Sequence, residues 1–472
     1  MAIKESLHGS WSSRWAFILA ATGSAVGLGN IWKFPYMTGQ NGGGAFVIVY
    51  LVCIALIGIP IMMSEVMLGR RGRQSPVNTM KDLAIESGHS PHWKWLGIVG
   101  VAAGFIILSY YSVVAGWSLS YLFNTAQGDF VGLTADGVGA KFSELIGDPV
   151  HLLFWHTFFM GMVMVVISRG VRSGLERAVS ILMPALFVLM VILLIYAMST
   201  AKFAEGVAFL FTPDFSKLST GALLSAMGHA FFTLSLGMGA IMVYGSYLPS
   251  NTSIAKTTLT IAFIDTLVAV LAGLVIFPIV FSNGLEPDQG AGLVFVTLPL
   301  AFGQMPGGVI FGTVFFLLLT FAAWTSGISL LEPAVTWLVE NKGVKRLTAT
   351  FIGGFTIWLL GIVTVMSFHD WGFEFEFPPG SGTKYETGFF DIFDILTANI
   401  MLPLGGLLIA IFAGWFMSRD ASRDELDLGS EVKYKIWRIL ARYVAPTAIL
   451  IVFFELIGLL DVVIDYIYRV YM

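Results

Sequence analysis

The sequence predicts an all-α integral membrane protein of eleven transmembrane helices, arranged as two inverted five-helix repeats with helices 1 and 6 broken. Three observations predict it. Of 472 residues, 56% are apolar and 12% charged, about half the charged share of a soluble chain (roughly 25%). Apolar runs of the roughly 20 residues needed to cross a bilayer core recur along the whole chain. Clustered glycines interrupt the first and sixth of these runs, the spacing expected of inverted repeats. This composition argues against a water-soluble enzyme or a disordered chain. A net charge of -4 provides no basic footprint for nucleic acid. The single cysteine, Cys53, excludes an internal disulfide framework and a cysteine-based zinc site.

The runs lie at 14–37, 42–68, 95–124, 151–168, 177–199, 222–246, 257–283, 309–339, 347–367, 389–416 and 437–460. They divide the chain into a cytoplasmic N-terminus (1–13), a first repeat (14–200), a second repeat (222–416) and an eleventh helix with an external C-terminus (434–472). Residues 1–10 lack the apolar core of a signal peptide, so the first span is expected to insert the chain. With the N-terminus inside, 20 of the 26 Lys and Arg fall on the cytoplasmic side, which fixes the orientation. The segments 126–148 and 368–391 read as acidic, Gly-rich outer loops. Leu293–Phe302, apolar but too short to span, reads as a helical or re-entrant lid on the outer face. Asp461 and Asp465 read as solvated surface at the C-terminal end.

The first span carries Gly23, Gly27 and Gly29, and the sixth carries Gly237 and Gly239. Glycine costs about 1 kcal/mol relative to alanine inside a helix, so such clusters predict local unwinding near the bilayer midplane. Close helix packing is the alternative use of small residues. Unwound backbone at that depth must line a cavity or be buried in protein. Half-helix N-termini then face anionic groups, and freed carbonyls hold a cation. The polar groups nearby are hard oxygens: Asn30, Thr233, Ser235, Thr325, Ser326 and the carboxylate of Asp265. Oxygen ligands that are mostly neutral suit sodium better than calcium, zinc or copper. The expected ligand is a small molecule with a carboxylate, bound beside a metal ion.

These residues also carry a resemblance. The stretch from Ala25 to Tyr36, the Asn41-Gly42-Gly43-Gly44-Ala45-Phe46 run, the Phe231–Gly237 segment and Trp324-Thr325-Ser326 resemble the neurotransmitter:sodium symporter family, in order and over nearly the whole chain. The bacterial amino-acid transporters of that family are the nearest in kind, which implies a multi-pass protein of the bacterial inner membrane. Gly174 and Pro184 reproduce the spacing at which span 5 of some bacterial members unwinds towards the cytoplasm.

The resemblance implies sodium-coupled symport by alternating access and two sodium sites. One would use the Ala25 carbonyl, Asn30, Thr233, Asp265 and the substrate carboxylate. The other would use carbonyls of Gly23, Val26 and Ala322 with the hydroxyls of Thr325 and Ser326. Sharing the carboxylate couples the two ligands directly. Substrate contacts would come from Ala25, Gly27, Gly29, Ile107, Tyr111, Phe232, Thr233, Ser235, Met238, Ser326 and Leu330. Gly27 stands where monoamine carriers have Asp, leaving room for a carboxylate. The apolar lining favours neutral, apolar L-amino acids, with Gly327 and Met238 making space for larger groups.

Two departures from the family pattern matter. The position of Asp265 is usually Asn; His229 stands where Gln is common; and Ala269 occupies the place where some bacterial members carry Glu. Asp265 is therefore expected to supply a fixed negative charge, with no chloride required. At the outer gate Lys33 replaces the usual Arg opposite Asp394, with Asp391 as a rival partner, and Phe232 and Tyr111 lie beneath. Trp11, Arg14, Tyr247 and Glu340 fall on inner-gate positions, and His8 stands near the missing N-terminal Arg. The alternatives are a non-transporting amino-acid sensor and a symporter for a small β- or sulfonic amino acid such as taurine. Beyond substrate, sodium and bilayer, no obligate protein partner is expected.

Overall fold

A computed structural model describes residues 6–286, 292–377, 384–456 and 459. Among them nine helices are long and apolar enough to cross a bilayer, or ten if the bent pair Arg14–Ala25 and Gly29–Gln40 is one span. The pair Thr220–Thr233 and Ala240–Ser246 takes the place of the predicted sixth span. The C-terminal tail with Asp461, Asp465 and Arg469 lies outside the described residues.

Helix starts follow local chemistry. The Ser13 hydroxyl accepts from the Ala16 amide to begin span 1. Asp148 accepts from the Val150 and His151 amides, with Pro149 in the first turn of Pro149–Ser168. Each satisfies amides that a helix start leaves unpaired.

Both predicted breaks are present. Span 1 stops at Ala25, where Val26 is extended (φ -71, ψ 103), and resumes with a 53° bend. Span 6 stops at Thr233. Ser235, Gly237 and Gly239 then take left-handed φ values of 53°, 81° and 76° before Ala240 restarts the helix. The glycines are needed because a Cβ strains that backbone. A Cβ on Gly237 would also lie 2.5 Å from the Leu402 carbonyl oxygen.

The halves of spans 1 and 6 pack among Gly44–Gly72, Ile254–Ser282 and Gly308–Lys342. Span 2 approaches the second half of span 6 closely enough that a Cβ on Gly69 would lie 1.9 Å from the Met242 carbonyl oxygen. Gly69→Ala must push two backbones apart. We expect it to cost about 3 kcal/mol, the upper range for overpacking, and to lower the melting temperature measured in detergent.

Several elements differ from the expectation. Short helices occupy segments read as loops: Pro76–Glu86, Ala135–Gly147, Phe203–Phe211 and Arg419–Leu426. Their amphipathic or mixed stretches are too short to register as spans. The lid Leu293–Gln304 is helical, but its Leu293, Phe295, Leu298 and Phe302 are buried rather than lying on a face. Phe295 packs edge-on to Trp117 and Tyr121, which explains why so short a segment is so apolar. A two-stranded antiparallel hairpin pairs Phe375 with Tyr385 and Glu376 with Lys384. Span 5 is wound throughout, opening with a wide turn over Val171–Glu176 and continuing past Pro184.

Candidate functional site

The two breaks face one narrow hollow. Its wall contains ten of the eleven predicted substrate residues: Ala25, Gly27, Gly29, Ile107, Tyr111, Phe232, Ser235, Met238, Ser326 and Leu330. Thr233, the eleventh, lies behind the wall against Asp265. The wall also contains Ser24, Leu28 and Ser329, which the sequence reading missed. Ser24 and Ser329 hydrogen-bond to each other at 2.8 Å, so their hydroxyls are already partnered. Ser329 lies one turn beyond Thr325, and that spacing was the available signal. Gly327 does not enlarge the hollow: a Cβ there would meet Phe159 and Val163 of the fourth span.

Gly27 is confined. A Cβ on it would sit 2.6 Å from Ser326 Oγ and 3.1 Å from the Tyr111 hydroxyl oxygen. The Leu28 amide donates to the Tyr111 hydroxyl at 3.4 Å. A backbone amide and a phenol thus converge at the break in span 1, on a position with no room for a side chain.

Asn30, Thr233 and Asp265 form one fully buried cluster. The Asn30 amide nitrogen donates to Asp265 Oδ1 at 2.8 Å and to its backbone carbonyl at 3.1 Å. The Thr233 hydroxyl is 3.1 Å from each carboxylate oxygen, and the Tyr50 hydroxyl is 3.5 Å from Oδ2. The Gly27 amide donates to Asn30 Oδ1 at 3.1 Å, which ties the cluster to the break. The ring of His229 stacks on Phe34 and lies beside Tyr50, with neither nitrogen hydrogen-bonded.

A second oxygen cluster lies where span 1 meets Gly308–Lys342. Ser326 Oγ lies 3.3, 3.2 and 3.3 Å from the carbonyls of Gly23, Ser24 and Val26. Thr325 Oγ1 is 3.1 Å from the Ala322 carbonyl, and a Cβ on Gly23 would lie 3.1 Å from Thr325 Cβ. All five residues expected at a second cation site therefore meet. Their hard, mostly neutral oxygens fit sodium as cargo.

The two ends of the site differ. Towards Lys33 a vestibule lined by Trp32, Lys33, Tyr110, Phe390, Asp391 and Asp394 shares Leu28, Gly29, Tyr111 and Phe232 with the hollow. No ion pair joins Lys33 to Asp394 among the described residues. Lys33 Nζ lies 5.1 Å from the Phe232 ring, and the Tyr110 hydroxyl donates to Asp394 at 3.2 Å. Asp391, in the same lining, accepts from the Thr387 amide and hydroxyl at 2.8 and 2.6 Å through one of its oxygens.

The Trp11 end is shut. Trp11 is buried; its indole N–H donates to the Tyr244 carbonyl and its backbone amide to the Tyr247 carbonyl, each at 3.0 Å. The Tyr247 hydroxyl donates to Glu332 at 2.7 Å, and Arg346 pairs with the same carboxylate. Glu340 accepts from the Ser75 amide and from Asn78. Arg14 turns away from Glu340 to the Lys256 carbonyl at 3.3 Å. Glu65, also missed, is fully buried and accepts from the Gly237 amide at 2.6 Å.

Comparison with known proteins agrees with this architecture. A family model described as the Sodium:neurotransmitter symporter family matches residues 8–132 and 143–469. A sodium-dependent transporter of Bacillus subtilis, YhdH, is 38% identical over 96% of this chain and 98% of its own length. One from Haemophilus influenzae is 34% identical, covering 94% and 97% of the two chains. Among solved structures, MhsT in complex with L-phenylalanine superposes with a TM-score of 0.85 at 45% identity, over 94% of this chain and 99% of that one. By fold and by match along nearly its whole length, the chain is a sodium-dependent transporter and belongs to the sodium:neurotransmitter symporter family.

Proposed function

We propose that the chain imports neutral, apolar L-amino acids together with sodium, by alternating access and without chloride. The observation that carries this reading is the hollow between the two interrupted spans, flanked by two oxygen clusters. The substrate carboxylate would lie at Gly27, within reach of the Leu28 amide and the Tyr111 hydroxyl, and would complete the ligands of a sodium held by Ala25, Asn30, Thr233 and Asp265. Gly23, Val26, Ala322, Thr325 and Ser326 would hold a second sodium. The ammonium would face carbonyls of the unwound segments.

The side chain would lie against Ile107, Phe232, Met238 and Leu330. Burying a Leu-sized group there contributes about 1.5–3 kcal/mol. Ser24 and Ser329 satisfy each other, so they do not demand a polar side chain. That MhsT was solved with L-phenylalanine supports an amino-acid substrate.

The test is uptake into proteoliposomes under an inward sodium gradient, against the twenty amino acids, taurine and γ-aminobutyrate. Apolar amino acids should accumulate, and removing sodium should abolish accumulation. Replacing chloride by gluconate should leave uptake unchanged, because Asp265 supplies the anion. Saturable binding without accumulation would indicate a sensor, and loss of uptake in gluconate would refute chloride independence.

A further inference from the structure

We infer that the start of span 11 and the end of span 10 form a docking site for an anionic phospholipid, whose headgroup phosphate is held by Lys435, Arg438 and Arg442. The site is independent of the substrate hollow and lies on a face turned to the bilayer.

Span 11 runs as Glu431–Ile439, a wide turn over Leu440–Val444, and Ala445–Leu456. Its first turns sort into three faces. Tyr434, Trp437, Ala441 and Ala445 are buried against the bundle, and the Trp437 indole donates to the Pro60 carbonyl at 3.3 Å. Val432, Ile436, Ile439 and Tyr443 recur at helical spacing and are each more than half exposed. In a chain of membrane spans such a stripe faces acyl chains. Lys435, Arg438 and Arg442, also at helical spacing, run along the border between these two faces.

The row of cations lacks anions. Arg438 donates to the Tyr434 hydroxyl at 2.8 Å. The Arg442 guanidinium carbon lies 3.8 Å from the centre of the Trp415 ring and 5.5 Å from that of Tyr443, and the Trp415 indole donates to the Arg442 carbonyl at 3.0 Å. Arg442 Nε is buried with no acceptor. A Cβ on Gly414 would lie 3.0 Å from Arg442 Cα, so the backbones of spans 10 and 11 meet here and the side chain passes over Trp415. Among the described residues no carboxylate lies within ion-pair distance of Lys435, Arg438 or Arg442. Glu431, one turn before Lys435, pairs with Arg419 and Arg423 instead. Asp420, Asp424 and Asp427 line a cavity with Arg70 and Tyr434, to which none of the three cations contributes.

A guanidinium stacked on an indole keeps its edge for an acceptor, and paired phosphate oxygens match that edge. Trp and Tyr mark the depth of the headgroups. A phospholipid satisfies both surfaces at once, its phosphate on the cations and its chains along Val432, Ile436 and Ile439. A soluble phosphate satisfies only the first. Each Lys or Arg beside an anionic membrane surface contributes about fivefold in affinity.

The test mixes the full-length protein in detergent with equal amounts of phosphatidylglycerol and phosphatidylcholine and counts the bound lipid by native mass spectrometry. Wild type should prefer phosphatidylglycerol by more than about tenfold, and the preference should fade as salt rises from about 0.05 to 0.5 M. Replacing Arg438 and Arg442 together by Gln should lower the preference about tenfold or more. Lys435→Gln, at an exposed position that folding does not need, should lower it about fivefold. Lys342→Gln, an exposed cation at the end of the helix Gly308–Lys342, should leave it unchanged. Equal retention of the two lipids by wild type overturns the site. So does an undiminished preference in Lys435→Gln, or an equal loss in Lys342→Gln, which would mean diffuse attraction to the whole surface. If inorganic phosphate or glycerol phosphate raises the melting temperature as much as phosphatidylglycerol does, the occupant is a free anion and the lipid assignment fails. None of these readouts involves substrate or sodium, so their failure leaves the symport reading untouched.

Discussion

Asp265→Asn should reduce sodium-driven uptake about a hundredfold in chloride-free medium. Asp265 is fully buried on the helix Ile254–Ser282, with the Asn30 amide and the Thr233 and Tyr50 hydroxyls around its oxygens. Two sodium ions and a zwitterion bring a charge of +2 into a region where, on the proposed reading, this carboxylate is the compensating anion. Asn matches its shape and keeps one acceptor, so the fold should survive while the charge is lost. Interactions with a charged partner contribute about 1.5–3 kcal/mol each, and about 2.7 kcal/mol corresponds to a hundredfold. The measurement is the initial uptake rate against sodium concentration, in gluconate and in chloride. Half-saturation should move to much higher sodium in gluconate, and chloride should restore part of the rate by occupying the place of the missing charge. Undiminished uptake by the variant in gluconate would falsify the fixed-charge assignment.

The elements that sequence made legible share a cause. The broken spans could be read because glycines recurred where a helix former belongs, and the backbone spends them there: Gly237 and Gly239 take left-handed conformations, and Gly27 faces Ser326 and Tyr111 with no space for a side chain. Gly69 carries no such local signal, because its need arises from the approach of Met242, far away in sequence. The substrate wall was legible through motif positions on spans 1, 3, 6 and 8. Gly327 was misplaced because periodicity gives a face and not the neighbour that covers it; the fourth span does so here. The short helices outside the membrane escaped because span length was the criterion used to find helices. His8 was legible only as a departure from the family pattern, and its distance to Glu340 needed coordinates.

Glu65 shows how a missed residue can matter as much as a predicted one. It sits in an apolar run on span 2, where a lone carboxyl has no partner in sequence. In the structure its Oε1 accepts from the Gly237 amide at 2.6 Å. That amide belongs to the break in span 6, just before the half-helix Ala240–Ser246, and has no helical partner. One carboxyl from span 2 thus holds the unwound segment that leads into the second half of span 6.

Glu65→Leu fills similar space and removes both acceptors. The Gly237 amide left unpaired costs about 1–3 kcal/mol, so the loop that lines the hollow should lose its set conformation. Expected is a drop in sodium-dependent substrate binding of more than about tenfold, with the helical circular dichroism signal retained. Glu65→Gln keeps an acceptor oxygen at the same reach and should bind within about threefold of wild type. That contrast separates the hydrogen bond to Gly237 from bulk: if Leu and Gln impair binding equally, Glu65 acts through its charge rather than by holding the break open.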